Sequence, residues 1–183
     1  MAKEAVRMPH HVYFRVPILT PDSPGLETGG YDITSKDLPE MLGYPVVSGI
    51  GEIQGVSAIK SVYGHNYNVI RDTIVSTVYA KAKGYGVDGN APELFREELA
   101  AHIIVGGTDI SCHETTTKKE AIEKLRYGIY MLMREGSTQK NMSECIKAIK
   151  EENLDSRRVI LATDDMLAED IASKGHMNDI IRR

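Results

Sequence analysis

The sequence contains few cysteines, few aromatic residues and no tryptophan. Of its 183 residues, two are Cys and 6% are aromatic. Cys112 and Cys145 are too few for the disulfide framework of a small secreted domain, and they form no CxxC pair of the kind that binds zinc. The cysteine content therefore excludes disulfide-stapled and zinc-finger proteins, and we expect both thiols to be reduced.

Long hydrophobic runs and a basic charge excess are also lacking. No apolar run approaches the roughly 18 residues that span a bilayer, and the first residues, MAKEAVRMPHHVYF, lack the apolar stretch of a secretory signal. The 22 basic and 26 acidic residues give a net charge of −4, and no basic stripe with interleaved aromatic residues is present. We therefore predict a cytoplasmic protein with neither a membrane nor a nucleic acid as partner.

The sequence does contain short β-rich runs that alternate with helical patterns. Strands are predicted over 11–17, 44–53, 84–89, 107–114, 128–136 and 157–165, and helices over 69–84, 92–107, 116–128, 138–153 and 166–175. In the first of these helices, one face contains Val69, Ile70, Thr73, Ile74 and Thr77. The βα order predicts one α/β domain over 1–183, with parallel strands and right-handed crossovers.

Two architectures fit this order: an open doubly wound sheet and a part of a (β/α)8 barrel. The sequence has no GxGxxG or P-loop spacing, so nothing favours a nucleotide-binding sheet. A full barrel takes about 250 residues. At roughly 30 residues per βα unit, this chain holds about six units.

Polar residues follow the predicted strands, where the active sites of parallel α/β folds are found. The second predicted strand ends at Glu52, the third at Asp88 and Asn90, and the fourth at His113 and Glu114. The fifth ends at Arg134, Glu135 and Ser137, and the sixth ends at Asp164 and Asp165. Carboxylates together with imidazole form a ligand set that suits Mn, Fe or Zn. A lone carboxylate at a strand end is also commonly a helix cap, and Asp165 is a candidate for that role.

Several ordered blocks of sequence resemble one family. The blocks are GIGEI (49–53), VDGNAP (87–92), DISCHETTTKKEAIEKLRYGIYMLMREGS (109–137), KN (140–141), LATDD (161–165) and GHMNDIIRR (175–183). In this order and spacing, the chain resembles the adenine deaminases of the amidohydrolase superfamily. The resemblance implies an incomplete TIM-type (β/α) barrel of about six parallel units. It also implies a purine substrate and the hydrolysis of adenine to hypoxanthine and ammonia.

The resemblance also assigns roles by matching position. Glu52 corresponds to the carboxylate that bridges two metal ions, and His113 corresponds to a metal-binding histidine. Asp164 corresponds to a metal-binding aspartate that also transfers the proton. A further set, expected near the substrate, comprises Arg134, Glu135 and Ser137. The implied cofactor is a divalent metal, Mn or Fe and alternatively Zn.

The sequence departs from the family pattern in two places. The family reads Gly-His-Ala-Pro where this chain reads Gly89-Asn90-Ala91-Pro92. Asn90 therefore occupies the position of a metal-binding histidine, which is degenerate in this chain. The family's His-x-His pair on its first barrel strand has no counterpart here, and neither do the first βα units and the flanking regions. With Glu52, His113 and Asp164 as the remaining ligands, we expect at most one weakly held ion and little activity.

An incomplete barrel leaves parallel strand edges open, and such edges are seldom exposed. We therefore expect a homo-oligomer, most simply a dimer. Two alternatives to a deaminase remain open from the sequence. One is a non-catalytic subunit that binds a purine or takes part in an assembly, and the other is an amidohydrolase with another cyclic amide or amidine substrate.

Overall fold

The computed structural model describes residues 2–18, 20–21, 29–55, 67–107 and 110–183. In these ranges the strands are β1 (Phe14–Val16), β2 (Val47–Gln54), β3 (Gly86–Asn90), β4 (Ser111–Cys112), β5 (Tyr130–Arg134) and β6 (Val159–Ala162). The helices are α1 (Ala2–Ala5), α2 (Leu38–Met41), α3 (Tyr67–Ala82), α4 (Arg96–Gly106), α5 (Lys118–Arg126), α6 (Met142–Glu152), α7 (Ala168–Lys174) and α8 (Met177–Arg182). None of the helices described is long and apolar enough to cross a membrane.

The strands pair in parallel, which confirms the α/β class predicted from the sequence. In the described ranges they form two three-stranded sheets, ordered β1-β2-β3 and β4-β5-β6, and neither of these sheets is closed. The expected barrel is therefore not confirmed, although each sheet keeps its strands in sequence order. β4 is only two residues long and offers few positions for a ladder of hydrogen bonds.

The chain divides into two compact units. The first unit contains Met1–Asn90 and Ala101–Ile110, and the second contains Ala91–Ala100 and Ser111–Arg183. Each unit includes one of the two sheets. The interpretation of 1–183 as one barrel domain stays a prediction.

In the first unit, close packing between β1, β2 and β3 requires glycine. Arg15 of β1 lies opposite Gly49 of β2, which in turn lies opposite Gly86 of β3. A Cβ at Gly49 would collide with the backbone carbonyl of Gly86, so position 49 requires glycine, whereas a Cβ at Gly86 would meet the flexible end of the Arg15 side chain. Ile50 and Val87, the next pair in register, are buried and begin the apolar core of the unit.

Helix α3 of the first unit differs from the sequence prediction. Thr73 and Thr77 are buried, as expected for the inner face of a helix, but Ile74 is 42% exposed. Ser76 and Ala80 complete the buried side instead. The inner face of α3 is therefore made of small residues, which allow the helix to approach the sheet closely.

In the second unit, α5 and α6 pack against β5 around a buried apolar cluster. This cluster contains Ala121, Met131, Met133, Cys145 and Ala148. Helix α5 begins with a capping box, in which the Thr117 hydroxyl accepts the backbone N–H of Glu120 and the Glu120 carboxylate accepts the backbone N–H of Thr117. The cap fixes where α5 begins and directs the Glu120 side chain back toward the loop that follows β4.

Candidate functional site

In the first unit, Glu52 and Asn90 contact each other at the carboxyl ends of β2 and β3. Asn90 is fully buried and pairs in register with Gln54. The side-chain Nδ2 of Asn90 donates a hydrogen bond to Glu52 Oε2. Gln54 Nε2 donates to the same oxygen at 3.0 Å. Two amide groups therefore hold the Glu52 carboxylate.

The amide at position 90 changes what Glu52 can do. An amide N–H is a hydrogen-bond donor to a carboxylate, whereas a metal-binding histidine presents a lone pair to a cation beside that carboxylate. Asn90 therefore satisfies one oxygen of Glu52 with a hydrogen bond, which makes that oxygen less available to a cation. The hydrogen bond from Asn90 to Glu52 is consistent with a degenerate metal-ligand position at residue 90. That assignment stays a prediction.

In the second unit, Arg134 and Asp164 form an ion pair. Arg134 is the last residue of β5, and its Nη1 donates to Asp164 Oδ2 at 2.6 Å. Arg134 pairs in register with Ala162, the last residue of β6, and Asp164 follows two residues later. The side chains of Arg134 and Asp164 therefore leave the same end of the sheet. The Arg134 side chain is 9% exposed and that of Asp164 is 25% exposed. A charge-assisted bond with so little exposure to water is stronger than a typical surface ion pair.

Arg134 also has a donor that the ion pair does not use. Its Nε is buried and has no hydrogen-bond partner among the residues that the structure describes. A buried N–H without an acceptor costs about 1–3 kcal/mol. The Nε–H of Arg134 is therefore an enclosed donor, which an acceptor atom reaches only if neighbouring atoms move.

The other two residues predicted near the substrate have protein partners. Glu135 accepts a hydrogen bond from Arg183 Nη1 at 3.1 Å, and its side chain is 11% exposed. The Ser137 hydroxyl accepts the backbone N–H of Leu167 at 2.9 Å. Glu135 and Ser137 therefore connect the loop after β5 to the C-terminal residue and to the start of α7. Their predicted contact with substrate stays a prediction.

His113 directly follows β4, and Asn141 holds the backbone there. Asn141 Nδ2 donates to the carbonyl oxygen of His113 at 3.3 Å, and the backbone N–H of Asn141 donates to the carbonyl oxygen of Arg134 at 2.8 Å. One asparagine therefore joins the segments that follow β4 and β5. Asn141 belongs to the KN block, and its sequence context predicts no role for it.

A buried carboxylate, which was not among the residues predicted from the sequence, joins two further segments. Glu120 is 2% exposed and accepts the backbone N–H groups of Glu93 at 2.8 Å, Thr117 at 3.1 Å and Thr116 at 3.2 Å. Glu93 lies in the loop after β3, and the two threonines lie in the loop after β4. Glu120 therefore fixes both loops to the start of α5.

The counter-ion of Glu120 is Lys124, which is fully buried one turn further along α5. Lys124 Nζ lies 3.5 Å from Glu120 Oε1 and donates to Thr115 Oγ1 at 3.0 Å and to Cys112 Sγ at 3.4 Å. The Cys112 side chain therefore points toward α5. Cys145 donates to the carbonyl oxygen of Thr115 at 3.1 Å, and burial raises the pKa of its thiol to about 12. Both thiols are free in this structure.

The titration of Glu120 reflects these contacts. Burial raises the pKa of Glu120, but the backbone N–H of Glu93, the positive charge of Lys124 and the backbone N–H of Thr116 together lower it more. The net result is a pKa below the ordinary value of 4.5. The carboxylate is therefore ionised at neutral pH and holds the two loops through charge-assisted hydrogen bonds.

The predicted metal ligands do not form a metal site in either unit. Across the described ranges, no group of three His, Cys, Asp or Glu side chains is arranged to hold an ion. Glu52 is held by two amides and Asp164 by a guanidinium. These donor contacts do not fit a carboxylate that binds a divalent cation, because each engaged oxygen faces an N–H group.

Comparison with known proteins tests the resemblance. No family model matches the chain. The chain is 64% identical over 183 residues to adenine deaminase 1 of Carboxydothermus hydrogenoformans, and the match covers 100% of the chain and 30% of the relative. The chain is a homologue of one part of the adenine deaminases. It is also 32% identical over 184 residues to adenine deaminase 3 of Rhizobium meliloti and 30% identical over 185 residues to an adenine deaminase of Moorella thermoacetica.

The resemblance to adenine deaminases is thus confirmed. The chain spans about 30% of the length of these relatives, and all of it is matched in each of the three. The matched region includes Glu52, Asn90, His113 and Asp164. The activity, substrates and partners of a whole adenine deaminase are therefore proposals for this chain.

Replacing Lys124 by methionine is expected to destabilise the fold, because it leaves the charge of Glu120 buried without its counter-ion. We expect Lys124→Met to lower the free energy of unfolding by about 3–5 kcal/mol, measured by urea denaturation. The control is Lys118→Met in the same helix, since Lys118 pairs with the more exposed Glu151 and Glu152. The control is expected to lose less than about 1 kcal/mol, and equal losses in both variants would contradict the assignment.

A second prediction concerns pH. Because the folded-state pKa of Glu120 lies below 4.5, its contribution to stability is fully present above that pH and is lost as the pH falls through the folded-state value. Glu120→Gln resembles the protonated carboxyl. We expect the stability difference between the original chain and Glu120→Gln to shrink between about pH 5 and pH 3, measured by urea denaturation across that range. A difference that is constant over this range would show that Glu120 is not held as an anion.

Proposed function

We propose that this chain forms part of a hydrolase of the adenine deaminase type, which converts adenine and water to hypoxanthine and ammonia. The observation that carries the proposal is the 64% identity over all 183 residues to adenine deaminase 1 of Carboxydothermus hydrogenoformans. The positions of Glu52, His113 and Asp164 at or after the ends of parallel strands support it, since active sites of parallel α/β folds form there.

The proposed cofactor is a divalent metal, Mn or Fe and alternatively Zn, and its candidate ligands are Glu52 in the first unit and His113 and Asp164 in the second. Such an ion would supply an activated water and a positive charge next to the substrate. One oxygen of Glu52 and one of Asp164 already accept hydrogen bonds from the protein, so an ion at either oxygen would compete with Asn90 or with Arg134. We therefore expect weak metal binding and little deamination by this chain alone.

The proposed purine contact is the Nε–H of Arg134. Ring nitrogens of adenine accept hydrogen bonds, and this buried donor has no acceptor among the described residues. The ion pair with Asp164 holds the guanidinium in a fixed direction, which reduces the entropy lost on binding. Arg134 is thus the best supported of the three residues predicted near the substrate.

A second candidate function is a non-catalytic subunit that binds a purine or takes part in an assembly. The hydrogen bond from Asn90 to Glu52 and the ion pair of Arg134 with Asp164 favour it, because both satisfy carboxylates without a cation. A dimer of this chain and a cytoplasmic location stay predictions. An amidohydrolase with another cyclic amide or amidine substrate remains the third alternative.

Metal titration and ammonia release test whether this chain alone is catalytic or only binds its ligand. We expect isothermal titration with Mn²⁺ or Zn²⁺ to show at most one weak site and little ammonia release from adenine. Asn90→His should raise the metal affinity, since imidazole is a better ligand for transition metals than an amide. It should not restore turnover, because the chain contains no His-x-His pair. Tight binding of two ions by the original chain, with brisk ammonia release, would contradict the non-catalytic function.

Adenine binding tests the role proposed for Arg134. Arg134→Lys keeps a positive charge that can pair with Asp164 but removes the Nε–H. If that N–H contacts the purine, the Kd for adenine should rise several-fold, up to about tenfold, in isothermal titration. Circular dichroism checks that the variant remains folded. An unchanged Kd would remove Arg134 from the purine site, and absence of binding by the original chain would argue against purine binding by the isolated chain.

A further inference from the structure

Asp164, which follows β6, has an unusual backbone conformation. Its φ is 57°, in the left-handed region that residues with a side chain seldom adopt, although aspartate tolerates it better than most. Its carboxylate accepts the hydrogen bond from Arg134 Nη1 at 2.6 Å. A residue in such a conformation stays there only when the surrounding structure holds it.

The loop that follows β5 holds the backbone on both sides of Asp164. The backbone N–H of Glu135 donates to the carbonyl oxygen of Ala162 at 2.9 Å. The backbone N–H of Ser137 donates to the carbonyl oxygen of Asp165 at 3.0 Å. These two hydrogen bonds lie before and after Asp164 in the chain, so they fix the segment that carries it.

Gly136, between these two donors, makes the closest approach to that segment. A Cβ at Gly136 would lie 2.7 Å from the carbonyl oxygen of Thr163 and 2.8 Å from that of Asp165. Both oxygens belong to the backbone, and their residues flank Asp164. The φ of Gly136 lies outside the left-handed region, so glycine is required here for space and not for backbone conformation. A side chain at position 136 would therefore push the backbone that carries Asp164.

We propose that Gly136 is a positioning residue for Asp164. Because position 136 has no side chain, the loop after β5 reaches the backbone around Asp164 and holds its carboxylate toward Arg134. The protein then sets the direction of this carboxylate before a ligand binds, as a preorganised site requires. The part that Asp164 plays in a reaction rests on the proposed function, whereas its placement by Gly136 rests on the contacts above.

Gly136→Ala tests the proposal by NMR on the 183-residue chain. The readout is the exchange with water of the Arg134 Nε–H, whose resonance is assigned by its loss in Arg134→Lys. This N–H is buried, and the guanidinium that carries it is paired with Asp164. Displacement of Asp164 should loosen the guanidinium, so we expect Gly136→Ala to speed the exchange at least tenfold. An unchanged rate would overturn the proposal.

Gly128→Ala is the matched control, because Gly128 lies at the other end of β5. Its φ is 81°, and among the described residues nothing beyond its chain neighbours lies within 4 Å of an added Cβ. Alanine there strains the backbone without touching the segment around Asp164. We expect exchange of the Arg134 Nε–H to stay within about twofold of the original rate. Equal acceleration in both variants would show that lost stability controls the exchange, and would overturn the proposal.

A second measurement covers a Gly136→Ala chain that does not fold. Asp164→Gly and Asp164→Ala both remove the carboxylate, but only glycine adopts the left-handed conformation without strain. If the contacts around Gly136 hold residue 164 at its φ of 57°, the alanine variant should be the less stable one. We expect its equilibrium constant of unfolding in urea to be about fivefold larger or more. Equal constants would overturn the proposal, since the backbone at 164 would then relax freely.

These readouts are separate from those of the proposed function. Exchange of the Arg134 Nε–H and unfolding in urea need neither adenine nor turnover. If the original chain neither binds adenine nor releases ammonia, that result counts against the proposed function of the isolated chain. Faster exchange in Gly136→Ala but not in Gly128→Ala would support the positioning role even then.

Discussion

The buried carboxylate of Glu120 is the contact on which the second unit most depends. It closes the N-terminal cap of α5, joins the loops after β3 and β4, and neutralises Lys124, a fully buried cation. Burial of both charges is tolerated because Glu120 accepts several N–H and O–H donors and Lys124 reaches a hydroxyl and a thiol. The backbone next to His113 is positioned by this polar core rather than by apolar packing alone.

The same principle operates at the strand ends. Glu52 is satisfied by Asn90 and Gln54, and Asp164 is satisfied by Arg134. At Asp164 the partner is a guanidinium, which also balances the negative charge, whereas at Glu52 the named partners are neutral amides that supply hydrogen bonds only. The chain therefore keeps Glu52 and Asp164, the two carboxylates predicted as metal ligands, while the protein's own donors engage both. These contacts are the physical basis for proposing little activity in the isolated chain.

Much of the local structure could be predicted from the sequence. The six strands and the five longer helices lie where the alternating pattern placed them, with bounds shifted by a few residues. The burial of Lys124 could not be predicted, because Glu120 and Lys124 are spaced like a solvent-exposed ion pair on a helix. The ion pair of Arg134 depends on the register between β5 and β6, which sequence patterns do not specify.

We infer that protein donors, rather than a metal ion, hold Glu52 and Asp164 in this chain. A crystal structure of the 183-residue chain grown with excess Mn²⁺, with anomalous diffraction recorded near the manganese edge, tests it most directly. We expect Asn90 to remain bonded to Glu52, Arg134 to remain paired with Asp164, and no anomalous peak at either carboxylate. A manganese peak bonded to Glu52 or Asp164, with Asn90 or Arg134 turned away, would contradict it.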